Sequence, residues 1–321
     1  MAGAASDPVA RPRLRVWRVA LTLGVTLALV AVLVRDLGGT GPLIAAIRGA
    51  RPAWVGVAFA ASSTCVLLGV VRWQQVLRAM GYSLGFRRGL VVVLATWPLA
   101  VVTPSRANDL LRPLAVRSVV PLAAGTGSVV AEKAIDLFVL LAIAAVGTVV
   151  RGFWTWTAVI AAVMGLEVTT VTLVVMRRRW LARLPFLRGR AGSIEALFGA
   201  FVALGRAPAR LASTAVVSLL IRLLTVVVTH ALLVAVGAGV QWFDTLTLWP
   251  AAMLVGVVPL TLGGLGARDA AFLVLLGERG GSVGTAAVLA ATMGYSAVSI
   301  WSFAIIGLPF MVRETLALRR P

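Results

Sequence analysis

The sequence predicts an all-α, polytopic integral membrane protein with about six full spans plus two re-entrant helical hairpins in inverted repeats. Three observations predict it. Of 321 residues, 60% are hydrophobic and only 13% are charged. A soluble chain of this length cannot hide that much apolar surface, so lipid is its solvent. Apolar runs recur at roughly 17–34, 53–71, 122–150, 153–176, 211–237 and 283–310, each near the ~20 residues that cross a bilayer. Two further apolar segments, 90–102 and 246–258, are shorter and stop at charged or glycine-rich turns in matching places. Paired, interrupted segments of this kind mark the binding region of transporters built from two repeats.

The first run follows Arg11, Arg13, Arg15 and Arg18 and looks like a signal peptide, but Arg35-Asp36-Leu37-Gly38-Gly39 offers no small-x-small cleavage site. An uncleaved span is expected. The second run is followed by Arg72, Arg78, Arg87 and Arg88. The first short segment ends in Thr103-Pro104-Ser105-Arg106-Ala107-Asn108-Asp109. The third run carries Glu132, Lys133 and Asp136 near its start, and the fourth carries Glu167. A basic stretch, 177–210, comes next; Ile194, Leu197, Phe198, Phe201 and Leu204 at helical spacing place it on the inner leaflet. The fifth run contains Arg222 and His230. The second short segment ends in Pro259-Leu260-Thr261-Leu262-Gly263-Gly264-Leu265-Gly266-Ala267-Arg268-Asp269, and 267–276 reads as a short helix stopped by Gly277.

Arginine sets the orientation. The clusters before the first run, after the second, after the fourth and at Arg313, Arg319 and Arg320 all face the cytoplasm under the positive-inside rule. Both termini are then cytoplasmic, in the cell (inner/plasma) membrane. This works only if neither short segment crosses. The chain 1–321 reads as a single membrane domain. Its halves, about 53–150 and 211–308, run in opposite directions and are joined by the span 153–176 and the stretch 177–210.

Composition also excludes functions. The formal net charge is +19, and Lys133 is the only lysine. These cations lie between apolar runs, so the expected partner is anionic membrane lipid rather than nucleic acid, at ~1 kcal/mol per basic residue near the surface. One cysteine, Cys65, and one histidine, His230, rule out an intrachain disulfide and an ordinary zinc site. No Gly-x-Ser-x-Gly elbow or Walker A loop is present. The expectation is therefore no catalytic residue, no metal and no cofactor, hence no enzyme. The tryptophans, Trp73 and Trp301 among them, read as interfacial anchors.

The candidate substrate-binding residues fall in three groups. Arg106, Asn108, Asp109 and Arg112 sit on the first hairpin; an arginine fork suits phosphate because it donates two parallel bonds. Glu132 and Asp136, four residues apart, share one helix face. Each would cost ~3 kcal/mol at mid-membrane, so cations such as Lys133, Arg106 or Arg112 should meet them. Arg222 carries the same cost in the fifth span and should face a cavity, with Glu167 as a candidate partner; His230 reads as a hydrogen-bonded packing residue or, less readily, as a proton relay. Gly263, Gly264, Gly266, Arg268 and Asp269 form the third group. There a helix N-terminus with free N–H groups could hold a phosphate, or Arg268 could simply pair with Asp269.

Pro104-Ser-Arg-Ala-Asn-Asp109-Leu-Leu-Arg112, then Ala131-Glu132-Lys133-Ala-Ile-Asp136, then Gly263-Gly264-Leu265-Gly266-Ala267-Arg268-Asp269 together resemble the lysylphosphatidylglycerol synthase transmembrane (flippase-like) family. The resemblance covers roughly 17–315. Ser105 and Asn108 stand where that family usually has glycine, Lys133 where it has arginine, Leu262 where it has proline, and Asp109 and Asp269 where it has glutamate. The resemblance implies a protein that moves anionic phospholipids or polyprenyl-phosphate carriers between leaflets. Longer members add a soluble aminoacyl-transferase domain; the chain ends at Pro321 without one. The alternatives are a lipid-modifying enzyme, or an accessory scaffold with partners in a cell-envelope glycolipid pathway.

Overall fold

The computed structural model describes residues 16–36, 39–101, 103–181, 191–258, 261–278 and 284–318. These residues form helices and short turns, with no strand among them. Helix α1 (Val16–Asp36) and the short α2 (Gly41–Arg48) precede the first long span, α3 (Pro52–Ala79). Proline opens α3, as it opens α9 (Pro208–Ala235), at the one helical turn where a missing N–H costs nothing. Between them lie α4 (Phe86–Thr96), 3-10 turns at Trp97–Val101 and Pro104–Leu111, and α5 (Arg112–Ala115). Next come α6 (Leu122–Val150), α7 (Trp154–Leu181) and α8 (Ala191–Gly205). After α9 come α10 (Trp242–Val257), a 3-10 turn at Leu262–Gly264 and α11 (Ala267–Gly277). Finally α12 (Thr285–Ser296) passes through a π turn, Ala297–Trp301, into α13 (Ser302–Leu318).

Five helices are long and apolar enough to cross a membrane: α3, α6, α9, most of α7, and the continuous α12–α13. Helix α1 adds a shorter apolar stretch, Thr22–Arg35. The chain is thus a multi-pass membrane protein, and five of the six expected spans stand at full length. The arginines before α1 and the stretch 182–190 lie outside the described residues.

The core is built on α3 and α9. They run antiparallel: the Arg51 N–H donates to the Ala235 carbonyl at 2.9 Å at one end, and the Arg210 guanidinium reaches the Arg78 carbonyl at the other. Helix α6 packs on both and on α10, while α13 packs on α4. Both crossings need a glycine. A Cβ on Gly147 would overlap the Thr247 carbonyl of α10, and one on Gly307 would overlap the Leu94 carbonyl of α4.

Both short segments break as their sequences require. Pro98 and Pro104 sit in the 3-10 turns after α4, because proline cannot supply the N–H an α-helix interior needs. In the second, Gly263, Gly264 and Gly266 all take positive φ (61°, 80° and 84°), a region that glycine alone enters freely. Pro259 and Leu260 lie outside the described residues. The 3-10 turn Pro104–Leu111 touches the 3-10 turn Leu262–Gly264, so the tips of the two interrupted segments meet.

The stretch 177–210 differs from expectation. Helix α8 docks on α6 and α7 instead of only lying on a leaflet. Gly127 of α6 fits against the α8 backbone at Leu197, and Ala200 and Leu204 are buried. The apolar stripe read as lipid-facing is packed against protein; the side chain of Ile194 lies outside the described residues.

Substituting Gly147→Val or Gly307→Val should destabilise the fold by ~1–3 kcal/mol or more through overpacking against backbone. Gly165, with open space around its Cβ position, should accept alanine without loss. Thermal unfolding of the detergent-solubilised protein reads the difference.

Candidate functional site: a charged cavity between the hairpins

Arg72 organises the site. It lies near the end of α3 with 5% exposure, and its guanidinium spans α6 and α9. Nη2 meets Glu132 at 2.7 Å, Nη1 meets Asp136 at 2.7 Å, and Nη1 also donates to the Ser218 hydroxyl at 3.2 Å. Glu132 and Asp136 present the same face of α6, as their spacing requires. Asp136 is shared with Arg222, whose Nε lies 3.1 Å away and whose Nη2 pairs with its other oxygen.

The first hairpin closes the network. Arg112, at the start of α5, bonds Asp109 at 2.6 Å and reaches Glu132 at 3.4 Å. Its guanidinium rests 5.7 Å from the Trp73 ring, whose indole N–H donates to Ser128 at 3.0 Å. Lys133 pairs with Asp109. Asn108 is buried behind this pair, and its amide donates to the Thr96 carbonyl at 3.1 Å. Two buried polar atoms here, Arg112 Nε and Asn108 Oδ1, have no hydrogen-bond partner among the described residues. The side chain of Arg106 lies outside the described residues.

Counted over these side chains, the cations Arg72, Arg112, Lys133 and Arg222 face the anions Asp109, Glu132 and Asp136. Positive charge is in excess. Around them is a cavity of about 80 Å³, bounded also by Tyr295, Ser299 and Thr225, room for several waters. A second cavity of about 240 Å³ shares Lys133, Asp136 and Arg222 with it and extends to Gly263 and Arg268. The two interrupted segments therefore contribute to adjoining polar space.

The second hairpin behaves differently from the first. The Asp269 carboxylate accepts the Gly266 N–H at 2.9 Å and holds Arg268 at 2.7 Å. Of the two readings open for this turn, the Arg268–Asp269 pair is the one seen, and the acid also caps the helix. Arg268 also donates to the Thr292 carbonyl at 3.0 Å and to Ser296 at 3.1 Å, and it lies between the rings of Trp249 (5.1 Å) and Tyr295 (4.8 Å). Gly264 packs on Gly256, and Gly266 packs on Leu29 of α1. These glycines serve close packing, and Gly256 and Gly263 also border the cavity of about 240 Å³.

His230 borders neither charged cavity. Its Nδ1 lies 3.1 Å from the Thr245 hydroxyl, and its ring meets Trp242 edge-on, so it joins α9 to α10. Glu167 does not pair with Arg222. It borders a separate apolar cavity of about 490 Å³ between α6, α7, α8 and α9, where Oε2 has no hydrogen-bond partner among the described residues.

Arg72, Trp73, Trp249 and Tyr295 were not legible as site residues. A run-length reading ends the second span at its first charge and assigns Arg72 to a cytoplasmic cluster. The signal was in the periodicity: Val66, Val70, Trp73 and Leu77 continue one buried helical stripe past Arg72. Trp73 and Trp249 are fully buried and hold cations, whereas Trp54, Trp154 and Trp301 are exposed like the anchors expected.

The fold and site define a polytopic membrane protein with a buried cationic cavity where two broken segments meet. The model of one family, described as the lysylphosphatidylglycerol synthase TM region, matches residues 17–307. The chain belongs to that family, which ties it to lipid handling at a membrane. No curated protein matches it.

Removing Arg72 leaves Glu132 and Asp136 buried beside fewer cations. Arg72→Ala should cost ~3–5 kcal/mol, the penalty for an uncompensated buried charge, seen as lost folded yield on size exclusion. Arg222→Ala should cost less, because Asp136 keeps Arg72.

Proposed function

We propose that the protein moves an anionic lipid headgroup between leaflets, with the two broken segments entering as re-entrant hairpins from opposite faces of the cell membrane. The observation that carries this reading is the cationic cavity bordered by Lys133, Arg222 and Arg268 beside the buried ion network. A headgroup phosphate matches it: Arg222, and Arg112 in the adjoining smaller cavity, are forks that bond two anionic oxygens at once, and Arg112 Nε is a donor without a hydrogen-bond partner among the described residues. Asp109, Asp136 and Glu132 position these arginines. The acyl or prenyl tails remain in the bilayer while the headgroup follows the polar path. This division avoids the several kcal/mol that an unpaired anion would meet in hydrocarbon.

Under this reading both termini are cytoplasmic and the halves 53–150 and 211–308 form an inverted repeat. The role is transport without a catalytic residue or cofactor.

Reconstituted vesicles carrying a fluorescent anionic phospholipid test it. Wild-type protein should speed leaflet exchange. Arg222→Ala should slow it about tenfold, the equivalent of ~1.4 kcal/mol of lost charge-assisted bonding, with Arg222→Lys between the two. Equal rates for wild type and Arg222→Ala would overturn the reading, as would chemical conversion of the lipid without movement.

A further inference from the structure

The two halves cross each other twice in the same way. Helix α6 lies antiparallel on α10 through Gly147, and α13 lies antiparallel on α4 through Gly307. Each crossing therefore sets the last helix of one half on the first arm of the other half's broken segment. Beyond each glycine, toward the C-terminal end of its helix, stands an ion pair. After Gly147, Arg151 reaches Asp244 at 2.5 Å and the Thr247 hydroxyl at 2.9 Å, and lies 4.5 Å from the Phe243 ring centroid. After Gly307, Glu314 accepts from Arg88 at 2.8 Å, and Arg88 also donates to the Ala115 carbonyl at 2.8 Å. The charges are exchanged between helix and hairpin, and on each hairpin arm the charged residue, Arg88 or Asp244, stands in the first turn of its helix.

The chain directions put these pairs at opposite ends of the bundle. Arg88 follows the end of α3 and Asp244 follows the end of α9, and α3 and α9 are antiparallel. Helix α6 starts beside the end of α3, where Trp73 bonds Ser128, so its own end, Arg151, is at the far side. The charged network of Arg72, Glu132, Asp136 and Arg222 sits between them.

We infer that Arg88–Glu314 and Arg151–Asp244 are the two gates of the transport path, each holding one hairpin arm against a span and closing one end of the charged cavity. The inference rests on the transport reading. A hairpin carrying Arg112 or Arg268 cannot swing from its span while its ion pair holds, and both pairs are closed here. The gates are unequal. The Arg88 side chain is 45% exposed, so its pair is screened and easily broken. Asp244 is fully buried, and its Arg151 partner is held by a hydroxyl and a ring as well. The Arg88 end therefore opens more readily.

The test uses the full chain with its one cysteine replaced (Cys65→Ser) and cysteine pairs R88C/E314C or R151C/D244C, reconstituted in vesicles. A short, reducible bifunctional thiol crosslinker should bring fluorescent anionic phospholipid exchange to the protein-free rate for either pair, and reductant should restore it. Unchanged exchange after crosslinking would overturn the inference.

A second readout is independent of lipid movement. Thr225→Cys places a thiol at the charged cavity. Membrane-impermeant maleimide should label it faster from the Arg88 face in R88A/E314A, and faster from the opposite face in R151A/D244A. The charge-swapped R151D/D244R, which keeps the pair, should return to the parent rate and exclude simple unfolding. Labelling shifted as described, with no lipid exchange by the parent protein, would sink the transport reading alone. Labelling identical in all variants would sink the gates.

Discussion

An ionised group in an apolar interior must find its counter-charge within reach, and this protein is arranged around that demand. Glu132 is fully buried, and Arg72, Asp109, Arg112 and Asp136 are nearly so. Their bonds bring together α3, α5, α6 and α9. In lipid, where apolar contact between helices has no solvent-driven advantage, such polar bonds and close backbone packing must hold the bundle. The network supplies the first, and Gly147 and Gly307 supply the second. A cluster of this kind is worth little as net stability; its value is that it permits one arrangement of helices and leaves a polar space at their centre.

The two broken segments solve a related problem in different ways. Irregular backbone survives at membrane depth only against protein or beside water. The first segment answers with side chains: Asn108 bonds the Thr96 carbonyl, and Arg112 bonds Asp109. The second answers with glycine, whose positive φ values turn the chain tightly, and with Asp269, which caps the N–H of Gly266. As a result the first segment has polar atoms at Arg112 and Asn108 without hydrogen-bond partners among the described residues, while the second holds its arginine between two aromatic rings. The first segment thus meets the polar space through charged side chains, and the second through Gly263 and an arginine held by protein.

The π turn at Ala297–Trp301 belongs to the same economy of space. A wide turn inserts one residue and shifts the side chains on either side of it. Here it follows Tyr295, which supports Arg268, and contains Ser299, whose hydroxyl accepts from Ser62 of α3. One long helix can thereby serve the cavity wall and, further on, pack its Gly307 against α4.

The sequence by itself determined the solvent, the spans and the two broken segments, because each rests on a local property: apolar run length, arginine distribution, and proline or glycine where helix cannot continue. It also exposed Asp109, Arg112, Glu132, Asp136 and Arg222, since a charge within an apolar run is conspicuous wherever it points. Pairing was decided only by the tertiary structure. Arg72 looked like the cytoplasmic end of a span and is instead the centre of the network, because a helix can carry a charge inward when two acids await it on a neighbour. Asp269 read equally as part of an anion site or as the partner of Arg268; it is that partner and also a cap, because the Gly266 N–H lies three residues away across a turn whose shape no composition records. The stripe on α8 looked lipid-facing and is packed on α6, because periodicity shows that a face is apolar and says nothing about which apolar surface will cover it.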